Sequence, residues 1–241
     1  MLRSPSRTAR FRTSNETRTS GMEEEGMDKD INVTIDHTNL RPEATEADIA
    51  RLCDEAREHG FATVAINSCW TSFASDRLVG SGVGVTTCVG FPLGASSTAS
   101  KAAETTAAVA DGTSEVDMVI SLGHLLSGDD VYVCDDIAAV VRAAAGRPVK
   151  VILECCLLDH DQIVRGCQDA VSAGASFVKT STGFSKGGAT VADVRLMRET
   201  VGNSCKVKAA GGIHTRDDAL AMLAAGADRI GTSSGLAIVA G

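Results

Sequence analysis

Three ionisable side chains stand where their neighbours make charge costly. Lys179 lies within Phe177-Val178-Lys179-Thr180-Ser181-Thr182-Gly183, Lys208 within Cys205-Lys206-Val207-Lys208-Ala209-Ala210, and Asp117 within Glu115-Val116-Asp117-Met118-Val119-Ile120. Each stretch reads as a strand, and the two-residue period puts Phe177, Lys179 and Ser181 on one face and Lys206 with Lys208 on another. A charge inside such a strand needs a partner or a task. Two lysines at similar depth on adjacent strands repel one another, which lowers the pKa of at least one and leaves a neutral amine as a nucleophile near pH 7. Asp117 beside them can neutralise a lysine, or hold a water and move protons. That is imine chemistry. The same residue types also suit a buried ion cluster without chemistry, or a Lys179 whose stem runs outward past a helix, and the residues alone leave this open.

Other polar residues in the same stretches rank lower. Lys206 and Lys150 (Val149-Lys150-Val151) sit at strand starts, which marks them as charges of the lower barrel, and Glu154 closes its strand as a weaker site candidate. Gly211-Gly212 and Gly231-Thr232-Ser233-Ser234-Gly235 carry a phosphate signal: glycines let backbone N–H groups approach an anion, hydroxyls add donors, and a following helix N-terminus favours negative charge. Tight turns with Ser/Thr caps would have the same composition.

The elements that must position these groups follow from periodicity. Short β-branched runs at 31–36, 62–66, 83–89, 115–120, 149–154, 176–181, 205–210 and 228–232 alternate with segments of helical apolar spacing near 45–59, 70–79, 98–111, 129–145, 159–173, 190–201, 215–225 and 234–239. Thr45 with Asp48 and Thr215 with Asp218 read as capping boxes, with Asp in place of the commoner Glu. Eight evenly spaced βα units predict an α/β fold, a closed (β/α)8 TIM barrel, with its site at the C-terminal ends of the strands.

Composition fits that class. The chain has 241 residues, 44% hydrophobic and only 3% aromatic, enough for one barrel over 31–241. Residues 1–30 have few apolar positions and no period, so they are expected to form a disordered extension. Without the arginine-rich residues 1–18, the formal charge of −8 becomes −12, which disfavours nonspecific binding to nucleic acid or anionic membrane. An anionic substrate must then be held by local donors. The eight cysteines fall mostly in apolar stretches, lack zinc-like spacing, and read as reduced, buried thiols, so no metal is expected. No long apolar run predicts a membrane span.

The residues together resemble the deoxyribose-phosphate aldolase family. The resemblance runs from Ile31 to Gly241 and is carried by Ile35-Asp36-His37-Thr38-Asn39-Leu40, Val89-Gly90-Phe91-Pro92-Leu93-Gly94, Glu115–Ile120, Phe177–Phe184, Val207–Ile213 and Gly231–Gly235. It implies a class I aldolase in which Lys179 forms the imine, Lys208 perturbs it and Asp117 relays protons, with phosphate held around Gly183, Gly211, Gly212, Ser233 and Ser234. It further implies a sugar-phosphate substrate, acetaldehyde as the second product, no metal or organic cofactor, and a cytoplasmic homo-oligomer, dimer or tetramer, with no nucleic-acid or membrane partner. Two departures stand out. Where the family often has Asn-Pro after the second strand, this chain reads Asn67-Ser68-Cys69-Trp70, and some relatives carry a tyrosine-bearing tail, whereas the one tyrosine here is Tyr132. Proton transfer without such a tail is expected to be slower or to use water alone.

Overall fold

The computed structural model describes Met1 and residues 31–241. Eight strands hydrogen-bond in sequence order, every neighbour parallel, and β8 closes on β1. They are β1 (Ile35–Asn39), β2 (Thr63–Asn67), β3 (Gly84–Val89), β4 (Glu115–Val119), β5 (Val149–Ile152), β6 (Phe177–Lys179), β7 (Lys206–Ala210) and β8 (Arg229–Thr232). The helices that follow them are α1 (Glu46–His59), α2 (Thr71–Leu78), α3 (Thr98–Ala110), α4 (Leu122–Leu126), α5 (Asp130–Ala143), α6 (His160–Ser172), α7 (Val191–Val201), α8 (Arg216–Ala224) and α9 (Gly235–Ala240). The expected disordered extension, Met1 apart, lies outside the described residues.

Local chemistry explains why the elements begin where they do. Both expected capping boxes form: Thr45 caps α1 and Thr215 caps α8, each accepting from the N–H of the aspartate three residues on, whose carboxylate accepts from the cap's N–H. A third box, Asp159 with Gln162, starts α6. The first strand departs from expectation. Ile31 and Asn32 are helical, and β1 runs from Ile35 to Asn39, because Thr34 donates back to Ile31 and turns the chain before the ladder begins. The shift moves Asp36 from the end of the strand into the barrel interior. Strands β5 and β6 are shorter than their apolar runs. Ile152 and Lys179 are the last paired strand residues, after which Cys155–Leu157 form a 3-10 turn and residues 180–183 leave the strand while Thr180 stays buried.

Strand and helix faces meet in one continuous core that includes Ile35, Val64, Val116, Met118, Val151, Val178, Val207 and Ile230. Five of the eight cysteines are buried as expected, but Cys69 is exposed in the 3-10 turn Ser68–Trp70, the segment where the sequence lacks the Asn-Pro pair. All eight are free thiols.

One group works against stability. Asp169 on α6 has a buried, unpartnered Oδ2, and its pKa is raised to about 6, first by burial and then by Asp130, with Arg165 opposing. A carboxyl raised above its unfolded value stabilises only while protonated, so its contribution is present below about pH 4 and is lost as pH rises through about 6. Asp169→Asn is therefore expected to melt higher than the parent at pH 7.5, with the difference closing toward pH 4. Thermal melts at the two pH values check this.

Candidate active site

Strand register assembles the site. Lys179 pairs with Lys208 across β6 and β7, Asp117 pairs with Lys150 across β4 and β5, and Lys208 pairs with Arg229 across β7 and β8. The three residues singled out by type come together as expected. Lys179 Nζ and Lys208 Nζ each donate to the same atom, Asp117 Oδ2, at 2.8 Å. Lys150 takes the other oxygen, Oδ1, at 2.9 Å.

Lys150 and Asp36 are the members that sequence reasoning undervalued or missed. Lys150 stands at a strand start, but the tilt of the strands carries its long side chain to Asp117 Oδ1 and to the carboxylate of Glu115. Asp36 lies 2.5 Å from Lys208 Nζ, accepts from Thr63 at 2.8 Å, and is paired with Arg229. The signal for Asp36 was an aspartate in the quoted Ile35–Leu40 motif. It was hidden by the misplaced end of the first strand.

The cluster holds four cations (Lys150, Lys179, Lys208, Arg229) against three carboxylates (Asp36, Glu115, Asp117). Burial alone would raise the Asp117 carboxyl, but Lys150, Lys179 and Lys208 hold it well below the usual carboxylate range. Asp36 follows the same logic through Lys208, Lys150 and Arg229. Of the two lysines expected to repel one another, Lys208 is not the one that is lowered. Burial would lower it, yet Asp117 and Asp36 together raise it above the ordinary lysine value, so it stays a cation. Cys88, next to Asp117 in register, has its thiol pushed up to about 12 by burial, so it does not compete as a nucleophile.

A cavity of about 580 Å³ opens above this cluster at the C-terminal ends of the strands. Lys179 lines it, as do Gly183, Gly211, Gly212 and Ser233 from the loops after β6, β7 and β8. Ser234, the fifth expected phosphate residue, does not line it; its hydroxyl lies 3.2 Å from His214 Nδ1, and His214 does line the cavity. His214, two residues after the glycine pair, is a polar side chain of this wall that the sequence reading passed over. Gly211 and Gly212 both adopt the left-handed φ that an L side chain resists, +87° and +75°.

The loop after β6 is clamped from two sides. Glu154, itself at φ +58°, accepts from the Thr182 N–H at 3.3 Å and from the Thr182 hydroxyl, which explains its strained backbone and buried carboxylate. Farther along, Ala189 N–H donates to Gly211 O at 2.9 Å, and a Cβ on Gly188 would fall 2.2 Å from that oxygen. Gly231 gives Lys208 its passage, since a Cβ there would lie 2.9 Å from Lys208 Cε. Tyr132 is elsewhere, stacked on His124 with ring centroids 3.5 Å apart. Lys206 is exposed, its Nζ 5.6 Å from the Phe177 ring centroid, in keeping with its assignment as a lower-barrel charge.

A closed parallel barrel with a lysine amine on the floor of its mouth, and glycine-rich loops above it, defines a (β/α)8-barrel enzyme of the lysine-dependent kind. The chain belongs to the DeoC/LacD family of aldolases, whose sequence model matches residues 31–241. It is similar to the deoxyribose-phosphate aldolase of Enterococcus faecalis, with 54% identity over 88% of this chain and 97% of that one. The deoxyribose-phosphate aldolase of Clostridium novyi is 55% identical over 88% of this chain and 96% of that protein. Among solved structures, the deoxyribose-phosphate aldolase of Aeropyrum pernix, described as a tetramer, superposes with a TM-score of 0.84 at 33% identity, covering 91% of this chain and 94% of the other.

Proposed function

We propose that residues 31–241 form one catalytic domain that reversibly cleaves 2-deoxy-D-ribose 5-phosphate to D-glyceraldehyde 3-phosphate and acetaldehyde, with Lys179 as the imine-forming nucleophile. The observation that carries this reading is the sharing of Asp117 Oδ2 by two lysine amines on the floor of the cavity. The cluster has one positive charge more than its carboxylates balance. Lys208 touches two of the carboxylates and Lys150 approaches three, whereas Lys179 touches Asp117 alone. Lys179 is thus the amine least committed to carboxylates and the one that lines the cavity, where it can meet the substrate carbonyl.

The neutral amine adds to the C1 carbonyl of the open-chain sugar, and loss of water gives a protonated imine. That imine is the electron sink, so the bond electrons released on C3–C4 cleavage need neither a metal nor an organic cofactor. Glyceraldehyde 3-phosphate leaves, the enamine of acetaldehyde takes a proton at carbon, and water hydrolyses the resulting imine. Asp117, held between Lys179 and Lys208, is placed to shuttle those protons. The substrate phosphate is assigned to backbone N–H groups of Gly183, Gly211, Gly212 and Ser233, with His214 as an added donor positioned by Ser234.

The reading extends to a homo-oligomer, dimer or tetramer, acting in the cytoplasm, supported by the tetrameric relative. Among the described residues, no helix is long and apolar enough to cross a membrane. Light scattering tests the assembly.

Borohydride reduction in the presence of 2-deoxyribose 5-phosphate, followed by peptide mass mapping, tests the chemistry. A single substrate-dependent adduct at Lys179 is the expected outcome. An adduct at Lys208 or Lys206 instead would overturn the assignment of the nucleophile, and binding without any adduct would overturn the enzyme reading in favour of a phosphate-ligand-binding barrel.

A further inference from the structure

The ion cluster does not end beneath the active site. From Lys179 Nζ the contacts pass to Asp117 Oδ2 at 2.8 Å, and from Asp117 Oδ1 to Lys150 Nζ at 2.9 Å. They continue from Lys150 to Glu115 Oε2, whose partner oxygen Oε1 faces Arg229 at 3.4 Å. The Thr86 hydroxyl lies alongside, 3.3 Å from both Lys150 Nζ and Glu115 Oε2. Lys150 and Asp117 are fully buried, whereas Glu115 and Arg229 keep 15% and 14% of their side-chain exposure. Glu115 opens β4 and Arg229 opens β8. The exposed end of the chain is thus at the N-terminal face of the barrel, opposite the cavity mouth.

A cluster that only filled the barrel would need charge balance but no wet end, and a substrate lodged in the mouth closes the short route from Asp117 to bulk water. We propose that Glu115 and Lys150 form a proton path through the floor of the barrel, exchanging the protons of Asp117 with solvent at the N-terminal face while substrate occupies the mouth. In each passage, the Glu115 carboxylate first takes a proton from hydronium at the N-terminal face, Lys150 then gives one proton to Asp117 and is reprotonated by Glu115, which returns to the carboxylate, and Asp117 hands its proton on. No electrons move, and the chain returns to its starting charge. Reverse passage removes a proton by the same steps. Arg229 holds Glu115 Oε1, which keeps Oε2 on Lys150. Glu115 acts through Asp117 and touches no substrate, so it is a positioning residue for protons.

The inference rests on the imine reading, and its test separates the two. Acetaldehyde deuterated on its methyl group forms an imine and an enamine on Lys179, and with glycerol 3-phosphate added as an unreactive phosphate that fills the mouth, the deuterium reaches solvent through the relay. For Glu115→Gln, deuterium loss, normalised to the imine that borohydride traps in the same sample, is expected to slow by about tenfold or more. Glu115→Asp is expected to recover part of the loss. An unchanged exchange-to-trapping ratio in Glu115→Gln overturns the path and leaves the imine reading intact, whereas absence of trapping in the parent removes both. Should Glu115→Gln fail to fold, the parent's exchange rate in mixtures of light and heavy water decides: a bowed dependence on deuterium fraction supports several protons moving in a chain, and a straight line overturns it.

Discussion

Lys179→Met is expected to lose cleavage of 2-deoxyribose 5-phosphate by about three orders of magnitude or more, and to lose all substrate-dependent borohydride trapping, because no covalent route remains once the amine is gone. The instructive part is what should survive. Removing most buried charges strands a partner and costs about 3–5 kcal/mol. Here Asp117 keeps Lys150 and Lys208, and the cluster passes from four cations over three carboxylates to three over three. Methionine fills a similar volume with a flexible, apolar stem. The variant should therefore melt close to the parent and still bind the sugar phosphate through the loops after β6, β7 and β8. Calorimetry of binding and a thermal melt, run beside the activity assay, check the three statements together. A variant that is both inactive and unfolded would mean that Lys179 is primarily a structural cation.

Asp117→Asn should behave in the opposite way. It leaves three buried ammonium groups around a neutral amide, so the expected cost is about 3–5 kcal/mol of stability, in addition to an activity loss of about 10² to 10⁴-fold from the missing proton carrier. Its dependence on pH follows from the direction of the shift. A carboxylate held below its unfolded value contributes stability that is fully present above about pH 4 and is lost as pH falls through the folded value. The parent should therefore lose this contribution only on acidification below the ordinary carboxylate range, with Asp36 adding to the same slope. Asp117→Asn should show a shallower acid limb in urea titrations between pH 4 and pH 2. An acid limb as steep as the parent's would mean that Asp117 is not the ion-paired group described here.

What could be read from the amino acids was governed by range. Strand and helix order depends on local periodicity and caps, and the Thr45 and Thr215 boxes formed as their spacing requires. Lys179, Lys208 and Asp117 were visible because charge inside an apolar strand is anomalous in one dimension. Lys150 was seen but undervalued, since a residue at the foot of a strand reaches the centre only through strand tilt and the length of its side chain, neither of which is local. Asp36 was lost to a boundary error, the strand ending three residues later than expected because the turn that Thr34 makes with Ile31 delays its start. The direction of the Lys208 shift needed a count of every charge near it, and two of the decisive ones, Asp36 and Asp117, come from strands far away in sequence. Ser234 belongs to the right loop but spends its hydroxyl on His214, a choice fixed by rotamers that composition does not encode.

The contact between Gly188 and Gly211 bears on how this enzyme can be re-engineered. Backbone touches backbone there, with no side chain between to absorb a change, so the loop after β6 and the loop after β7 constrain one another's path. In family shuffling they should be inherited as one cassette. Crossover points placed between residues 182 and 213 would join a loop from one parent to a seat shaped for another, whereas crossovers outside that interval leave the pair intact, and libraries built on the second plan should keep far more folded members at equal diversity.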